Sequence, residues 1–579
     1  LSTLEKLPSY LRKYCVEQSG DKYTPRDHAA WRFIMRQSRA YFRDHAVPVY
    51  LEGLKKTGIT LDRIPLIAEM DAKLGELGWG AVPVCGFIPP AAFLDFQARK
   101  ILPIAYDMRS VDHIHYTPAP DIVHEAAGHA PIIADPEYAD YLTLYAGMAQ
   151  KAIFSQEDMD LYEAIRALSD IKENPDSTPA QIHAAEAQLT RATSAVQFVS
   201  EANKVARMNW WTVEYGLVGS LSAPKIYGAG LLSSVSESQS CLSDRVKKIR
   251  LSVDCVETTY NITEPQPQLF VAESLHHLTD TLKEFEGSLA YRRGGAYGLD
   301  QAKRGRTVTT TVLDSGIEIS GKLVEYGVTG QNPDYIRCEG PVQLAEGGRE
   351  LPGQSIKEHP QGFSTPIGRW REFKDKDPSR LTDAELHAGG IAPGKRATLS
   401  FESGYVVEGD VVQCLRVNGR LVVVKWRDCR VTRAGKTYFE PAWGDFDMAV
   451  GTTVTSVFGG PADREAYGSH DVGKATTTPG RQSPFTSAEK RAFERYAEIR
   501  TLRRSPTSAA RVGDLSKLVA TEFQDEWLLR LETIELLYAA GQKSTADALA
   551  ATLKQDAARF PNDITTMIRQ GVALAAVPD

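Results

Sequence analysis

The hydrophobic period changes once along this chain, near residue 305, and that change limits the folds open to it. Before it, apolar residues recur at helical spacing, as in Ala29 to Phe42 and Leu61 to Leu77, with Pro/Gly loops such as Gly80 to Pro90 between them. After it, Thr307 to Leu313, Gly316 to Tyr326 and Thr398 to Val407 alternate in the manner of strands, while Val411 to Val417 and Arg420 to Trp426 flank Asn418-Gly419, a strong hairpin signal. Residues 461–485 are rich in Gly, Pro, Ser and Thr and read as a linker. Beyond them Thr486 and Glu489 form a capping box, and Trp527 to Ala540 carries a helical apolar stripe that Gly541 stops. The expected architecture is therefore multidomain: a mainly α domain over 1–305, a β-rich domain over 306–460, the linker, and a small α-helical C-terminal domain over 486–579. Within the first, residues 150–205 read as an αα-hairpin whose turn lies at Glu173 to Pro179.

At 579 residues, with 42% hydrophobic and 24% charged residues, the composition is that of an ordinary globular chain and excludes wholesale disorder. A net charge of −7 without a long Lys/Arg block argues against nucleic-acid binding, and no apolar run is long enough to span a bilayer, so no membrane partner and a cytoplasmic location are expected. Seven scattered cysteines without a C-x-x-C pair point to reduced thiols rather than a cysteine zinc site.

The chemistry concentrates in one stretch. Four of the twelve histidines (113, 115, 124 and 129) fall within 17 residues, the last two in His124-Glu-Ala-Ala-Gly-His129-Ala-Pro131. A zinc-protease H-E-x-x-H motif spaces its histidines four apart on one helix face; five apart means about 140° of rotation on an α-helix, so one ion can take both imidazoles only where the helix ends or distorts. Gly128 and Pro131 are the residues that would let it do so. Two neutral imidazoles and one carboxylate form the ligand set of non-haem Fe(II) oxygenases, and Glu214, in the aromatic segment Asn209-Trp-Trp-Thr-Val-Glu214-Tyr-Gly-Leu217, is the candidate carboxylate. The same residues also admit two hydrogen-bonded structural histidines and a Glu214 paired with an arginine.

The run Tyr116-Thr-Pro-x-Pro-Asp-x-x-His-Glu-x-x-Gly-His-x-Pro131, followed by Trp211-Thr-Val-Glu-Tyr-Gly-Leu217 and Tyr227-Gly-Ala-Gly-Leu-Leu-Ser-Ser234, closely resembles the pterin-dependent aromatic amino acid hydroxylases, those acting on phenylalanine being nearest. Tyr23-Thr-x-x-x-His-x-x-Trp31 and Val271-Ala-Glu-Ser274 extend the resemblance over roughly residues 20–295. It implies a mainly α catalytic domain holding one Fe(II) on His124, His129 and Glu214. That domain would use a tetrahydropterin (tetrahydrobiopterin or a relative) and O2 to hydroxylate the ring of L-phenylalanine to tyrosine through a ferryl oxidant. Alternatives are the same chemistry on tryptophan, tyrosine or the meta carbon of phenylalanine, a zinc hydrolase on His124, Glu125 and His129, and a non-catalytic scaffold.

The resemblance further implies that Arg109 clamps the substrate carboxylate, a task suited to its bidentate fork; a surface ion pair is the lesser alternative for that residue. Thr117, Pro120, Trp210 and Gly230 would line the pocket for a small aromatic amino acid, with Ser233 supporting it by hydrogen bonding. Val84, Gly86, Phe87, Ile88 and Phe93 would line the pterin position, with Glu125 near its ring; each apolar residue here is equally explicable as core. The sequence departs from the family in three places. Glu214 follows His129 by 85 positions, which makes 150–205 an insertion; Asn209 stands where a tyrosine is usual; and Tyr215 stands where a phenylalanine is usual. Residues 306–579 match nothing in the family, and the insertion and the C-terminal domains are the candidates for self-assembly into a homo-oligomer.

Overall fold

The structure, a computed structural model, describes residues 3–578 except 87, 112–113, 115–119, 175–176, 263, 469–483 and 505–508. Helix Pro25–His45 organises the N-terminal half. Thr24 and Asp27 close a capping box at its start, Pro25 occupies its first position, and Trp31, fully buried, donates from Nε1 to the Thr60 carbonyl (2.9 Å). The Leu61 to Leu77 stretch is helical only from Ile67 to Gly75, because Pro65 keeps the chain extended before it. The Gly80 to Pro90 stretch is not all loop: Gly80–Val84 is a strand, paired in parallel with Ile101–Ala105. A second small sheet runs Ala223–Ile226, Leu217–Ser220, Gln268–Ala272, Lys247–Arg250. Residues 150–205 hold the two helices of the expected hairpin, Gln156–Glu173 and Pro179–Ala195, opened by Ser155/Asp158 and Thr178/Gln181 capping boxes.

Residues 308–459 build two antiparallel sheets. The first has the order Arg349–Glu350, Asn332–Glu346, Ile317–Thr329, Val308–Leu313, Val454–Gly459, with Gly362–Pro366 also on Asn332–Glu346. The second runs Arg396–Ser400, Val406–Val417, Arg420–Arg433, Lys436–Phe439, with Phe446–Ala449 also on Arg420–Arg433. Asn418 and Gly419, at φ 50° and 80°, make the two-residue turn expected of them. The Thr398 to Val407 stretch is corrected from one strand to two: the chain reverses at 401–405 around Gly404 (φ 92°), and Phe401 N–H donates to the Tyr405 carbonyl (2.8 Å). Apolar Phe401 and Tyr405 continue the alternation through the turn and hide it.

The β-rich part is joined to the first by backbone as well as side chains. Gly459 N–H donates to the Lys151 carbonyl (2.9 Å), the Thr307 hydroxyl to the Phe154 carbonyl (2.7 Å), and Arg306 pairs with Glu157 (2.6 Å). The expected linker is partly built in: Arg464 meets Asp95 (3.2 Å) and the Tyr467 hydroxyl donates to the Pro341 carbonyl (2.8 Å), while most of the remainder lies outside the described residues.

The helices from Ser487–Arg504 to Asn562–Leu574 share one core with helix Pro25–His45 rather than forming a separate one. Phe33 meets Trp527 edge to face at 5.4 Å. Buried ion pairs cross the contact, Arg36–Glu535 at 2.6 Å and Arg32 with Glu535 and Glu532 at 3.5 and 3.7 Å, while Arg503 pairs with the same two glutamates (3.0 Å each) from within the C-terminal helices. Arg36 Nη2 also donates to the carbonyls of Leu574 and Val577 (2.9 and 2.6 Å). Among the described residues no helix is long and apolar enough to cross a membrane. Removing one partner of a buried pair strands the other charge, so Glu535→Ala is expected to cost about 3–5 kcal/mol. A lowered thermal midpoint checks this, and an unchanged one would show that the C-terminal helices are not held by these pairs.

Candidate metal centre and active-site cavity

Two unusual turns of backbone bring the candidate ligands together. Val123–His129 winds as a π-helix, with Ala130 N–H donating to the Glu125 carbonyl five residues back. In that winding residues five apart stack on one face, which resolves the spacing of His124 and His129. Pro131 supplies a reason: it has no N–H to give the Ala127 carbonyl, and the Tyr50 hydroxyl donates there instead (3.1 Å). Trp210–Glu214 is a second π turn, closed by Tyr215 N–H on the Trp210 carbonyl (2.8 Å), with the Thr212 hydroxyl donating back to the Met208 carbonyl (2.6 Å). It continues helix Glu201–Asn209, whose start Ser200 caps by accepting from Asn203 N–H (3.0 Å). Close approach of the 228–233 segment to both turns depends on glycine. A Cβ on Gly128 would stand 2.6 Å from the Ala229 carbonyl oxygen, and one on Gly228 would stand 2.4 Å from that of Glu214.

The two imidazole Nε2 atoms lie 3.2 Å apart, and the Glu214 oxygens reach them at 3.4 Å (His124) and 3.3 Å (His129). Such a triangle of donors is spanned by one ion at about 2.0–2.2 Å from each. Among the described residues this is the grouping of His, Cys, Asp and Glu that could hold a metal. Ser233 fixes one tautomer. Its hydroxyl donates to the Ala229 carbonyl (2.8 Å), so it accepts from His124 Nδ1–H (3.1 Å) and leaves the Nε2 lone pair facing the triangle.

The electrostatics fit a cation. Burial lowers His124 to about 4, keeping it neutral at pH 7. Burial alone would lower His129 as well, but the Glu214 carboxylate reverses the direction and leaves it raised. Burial opposes the Glu214 charge, and the two histidines outweigh it, holding the carboxylate at about 2. Glu125 is the opposite case: burial pushes it up to about 8, and its Oε2 has no hydrogen-bond partner among the described residues. Burial therefore favours its protonated form, which can donate as well as accept.

Arg109 is buried, not a surface ion pair. Its Nε and Nη2 donate to the two oxygens of Asp121 (2.7 and 2.8 Å) and its Nη1 to the Ser233 carbonyl (3.1 Å). Among the described residues these contacts use three of the five guanidinium N–H groups, which leaves one on each terminal nitrogen, enough for a carboxylate. Asp121, kept ionised against burial mainly by Arg109, also accepts from His124 N–H (3.0 Å) and so ties the clamp to the first ligand. Asp121 has no role among the expected site residues, although an Asp three residues before His124 at the head of a helical run is a recognisable capping signal.

Every described candidate lines one cavity of about 490 Å³: the three ligands, Arg109, Pro120, Trp210, Gly230 and Ser233, and also Val84, Gly86, Ile88, Phe93 and Glu125. Thr117 and Phe87 lie outside the described residues. Trp210 is sandwiched between Tyr215 (4.6 Å) and Tyr260 (4.3 Å), and the Tyr215 hydroxyl donates to Glu237 (3.3 Å). Tyr260 and Glu237, also in the wall, had no motif to reveal them. Asn209 lines the cavity and its Nδ2 reaches Glu214 Oε1 at 3.5 Å.

Residues 13–155 and 188–298 match the family model of biopterin-dependent aromatic amino acid hydroxylases. The phenylalanine-4-hydroxylase of Chromobacterium violaceum is 29% identical over 271 residues, 46% of this chain and 76% of that protein. The Pseudomonas aeruginosa phenylalanine-4-hydroxylase is 26% identical over 278 residues, 47% of this chain and 89% of that one. A crystal structure of the C. violaceum enzyme with bound iron(III) and oxidised cofactor 7,8-dihydrobiopterin aligns over 48% of this chain and 85% of its own at 26% identity, with a TM-score of 0.37. Residues 13–155 and 188–298 of this chain are therefore similar to a biopterin-dependent aromatic amino acid hydroxylase domain.

Proposed function

We propose that the chain hydroxylates the ring of L-phenylalanine to tyrosine with Fe(II), a tetrahydropterin and O2. The observation that carries this reading is the convergence of His124, His129 and Glu214 at one end of a cavity whose wall also holds Arg109. Two imidazoles and one carboxylate suit ferrous iron and leave positions on it open. Bound iron and pterin would supply the activation of O2 that ring hydroxylation needs. The protein's part is to hold and orient. Ser233 keeps Nε2 of His124 toward the ion, and the two N–H groups left on Arg109 take the amino acid carboxylate. Trp210, stiffened by its two stacking partners, and Pro120 offer an apolar wall for the substrate ring. Glu125, whose buried Oε2 has no partner among the described residues, would pair with a polar edge of the pterin, which Val84, Gly86, Ile88 and Phe93 would hold.

His129→Ala and Glu214→Ala are expected to lower iron content at least about tenfold while circular dichroism keeps its shape, since ligand removal costs metal affinity more than core packing. Full iron occupancy in either variant would remove the proposed ligand set. Arg109→Lys keeps a cation for Asp121 but loses the fork, so the KM for phenylalanine should rise about tenfold with little change in the KM for the pterin. Equal effects on both would place the carboxylate elsewhere. Mass spectrometry of products from phenylalanine, tyrosine and tryptophan, with iron and pterin omitted in turn, tests the reaction itself. Tyrosine formed from phenylalanine only when both are present supports it; a hydroxylated tryptophan, a meta-hydroxylated phenylalanine or no oxygenated product overturns it.

A further inference from the structure

The family match stops at residue 155 and resumes at 188, so the helix Gln156–Glu173 lies in a segment the family model does not cover. Nevertheless it walls the active-site cavity. Asp158, Leu161, Tyr162 and Ile165 all line it, and their spacing of three, four and seven residues from Asp158 is a single helix face. The helix is tied to the metal-binding part of the chain: Asp158 Oδ2 accepts from Ser155 N–H (2.7 Å) and from the Ser200 hydroxyl (2.5 Å), and Ser200 caps the helix that leads to Glu214.

Its position favours the pterin half of the cavity. Tyr162 and Asp170 lie within electrostatic reach of Tyr14 and Asp107 respectively; Tyr14 packs with Val82, Val84 and Ile88, and Asp107 accepts from Gly86 N–H (3.2 Å). Three buried polar atoms on cavity-lining side chains here have no hydrogen-bond partner among the described residues: Tyr162 Oη, Asp158 Oδ1 and Asn203 Oδ1. Buried polar atoms rarely go unpaired, and this set, one hydroxyl and two acceptor oxygens, complements a ligand with adjacent hydroxyls. The ring of phenylalanine has none. The substituent at C6 of a pterin, where natural pterins differ from one another, does.

Resting on the pterin reading above, we propose that the inserted helix selects the cofactor: Tyr162, with Asp158 and Asn203, hydrogen-bonds a hydroxylated side chain at C6 of the pterin. Tyr162 is then a specificity-determining residue supplied by a segment outside the family model.

The test is calorimetric binding to the iron-loaded, full-length protein of two probes, 7,8-dihydrobiopterin, with its dihydroxypropyl side chain, and 6-methyl-7,8-dihydropterin. The unmodified protein should bind the first at least about tenfold more tightly, since a site built for hydroxyls disfavours an analogue without them. Tyr162→Phe, which keeps the ring and its packing, and Asn203→Ala should each shrink that ratio about threefold or more and leave the affinity for the 6-methyl compound unchanged. An equal ratio in the unmodified protein and both variants would overturn the proposal while leaving the pterin reading intact. So would a Tyr162→Phe effect confined to the KM for the amino acid. Failure of the unmodified protein to bind either pterin would remove both.

Discussion

Everything at the centre of this molecule depends on a backbone that winds with five-residue hydrogen bonds where an α-helix would use four. The histidines at 124 and 129 share one ion's worth of space because of it, and the Trp210–Glu214 turn presents the carboxylate in the same way. Such winding leaves some carbonyls without their usual N–H, and here those carbonyls are used. Ala127 receives the Tyr50 hydroxyl, and Met208 receives the Thr212 hydroxyl, itself in contact with Tyr141. The geometry of the donors is thus set from outside the motif, by side chains packed behind it.

That arrangement explains what the sequence discloses and what it withholds. Residue types carry chemistry, so His124, His129 and Glu214 are legible once the carboxylate in its aromatic segment is noticed. The π turns are not legible in the same sense, because Gly128 and Pro131 permit distortion without specifying its kind; Tyr50, some eighty positions away, completes the specification. Arg109 shows the same limit. Its type predicts a clamp, but its dependence on Asp121 emerges only when both are seen buried together.

The β-rich part is read well where local chemistry dominates, as at Asn418-Gly419, and misread where alternation runs on through a turn, as at 401–405. Period alone cannot register a reversal when the residues on both sides are apolar. Nor can it show which cores merge. The stripe on Trp527–Ala539 predicts a helix with a buried face; that the partner is a helix some five hundred positions earlier rests on Arg32, Arg36, Glu532 and Glu535, charged residues a sequence reader places at the surface.

This long-range closure has a consequence for how the molecule is made. Helix Pro25–His45 buries Phe33 and Arg36 against residues beyond 520, so on a ribosome its final partners are not yet synthesised when it emerges. At about 5–20 residues per second, the roughly 530 residues to the end of helix Asn562–Leu574 take about half a minute to two minutes. Throughout that interval the nascent chain presents an apolar stripe and unneutralised arginines, a surface suited to chaperone capture. Helices made some five hundred residues later therefore complete helix Pro25–His45, and the core of the N-terminal half closes only once they have emerged.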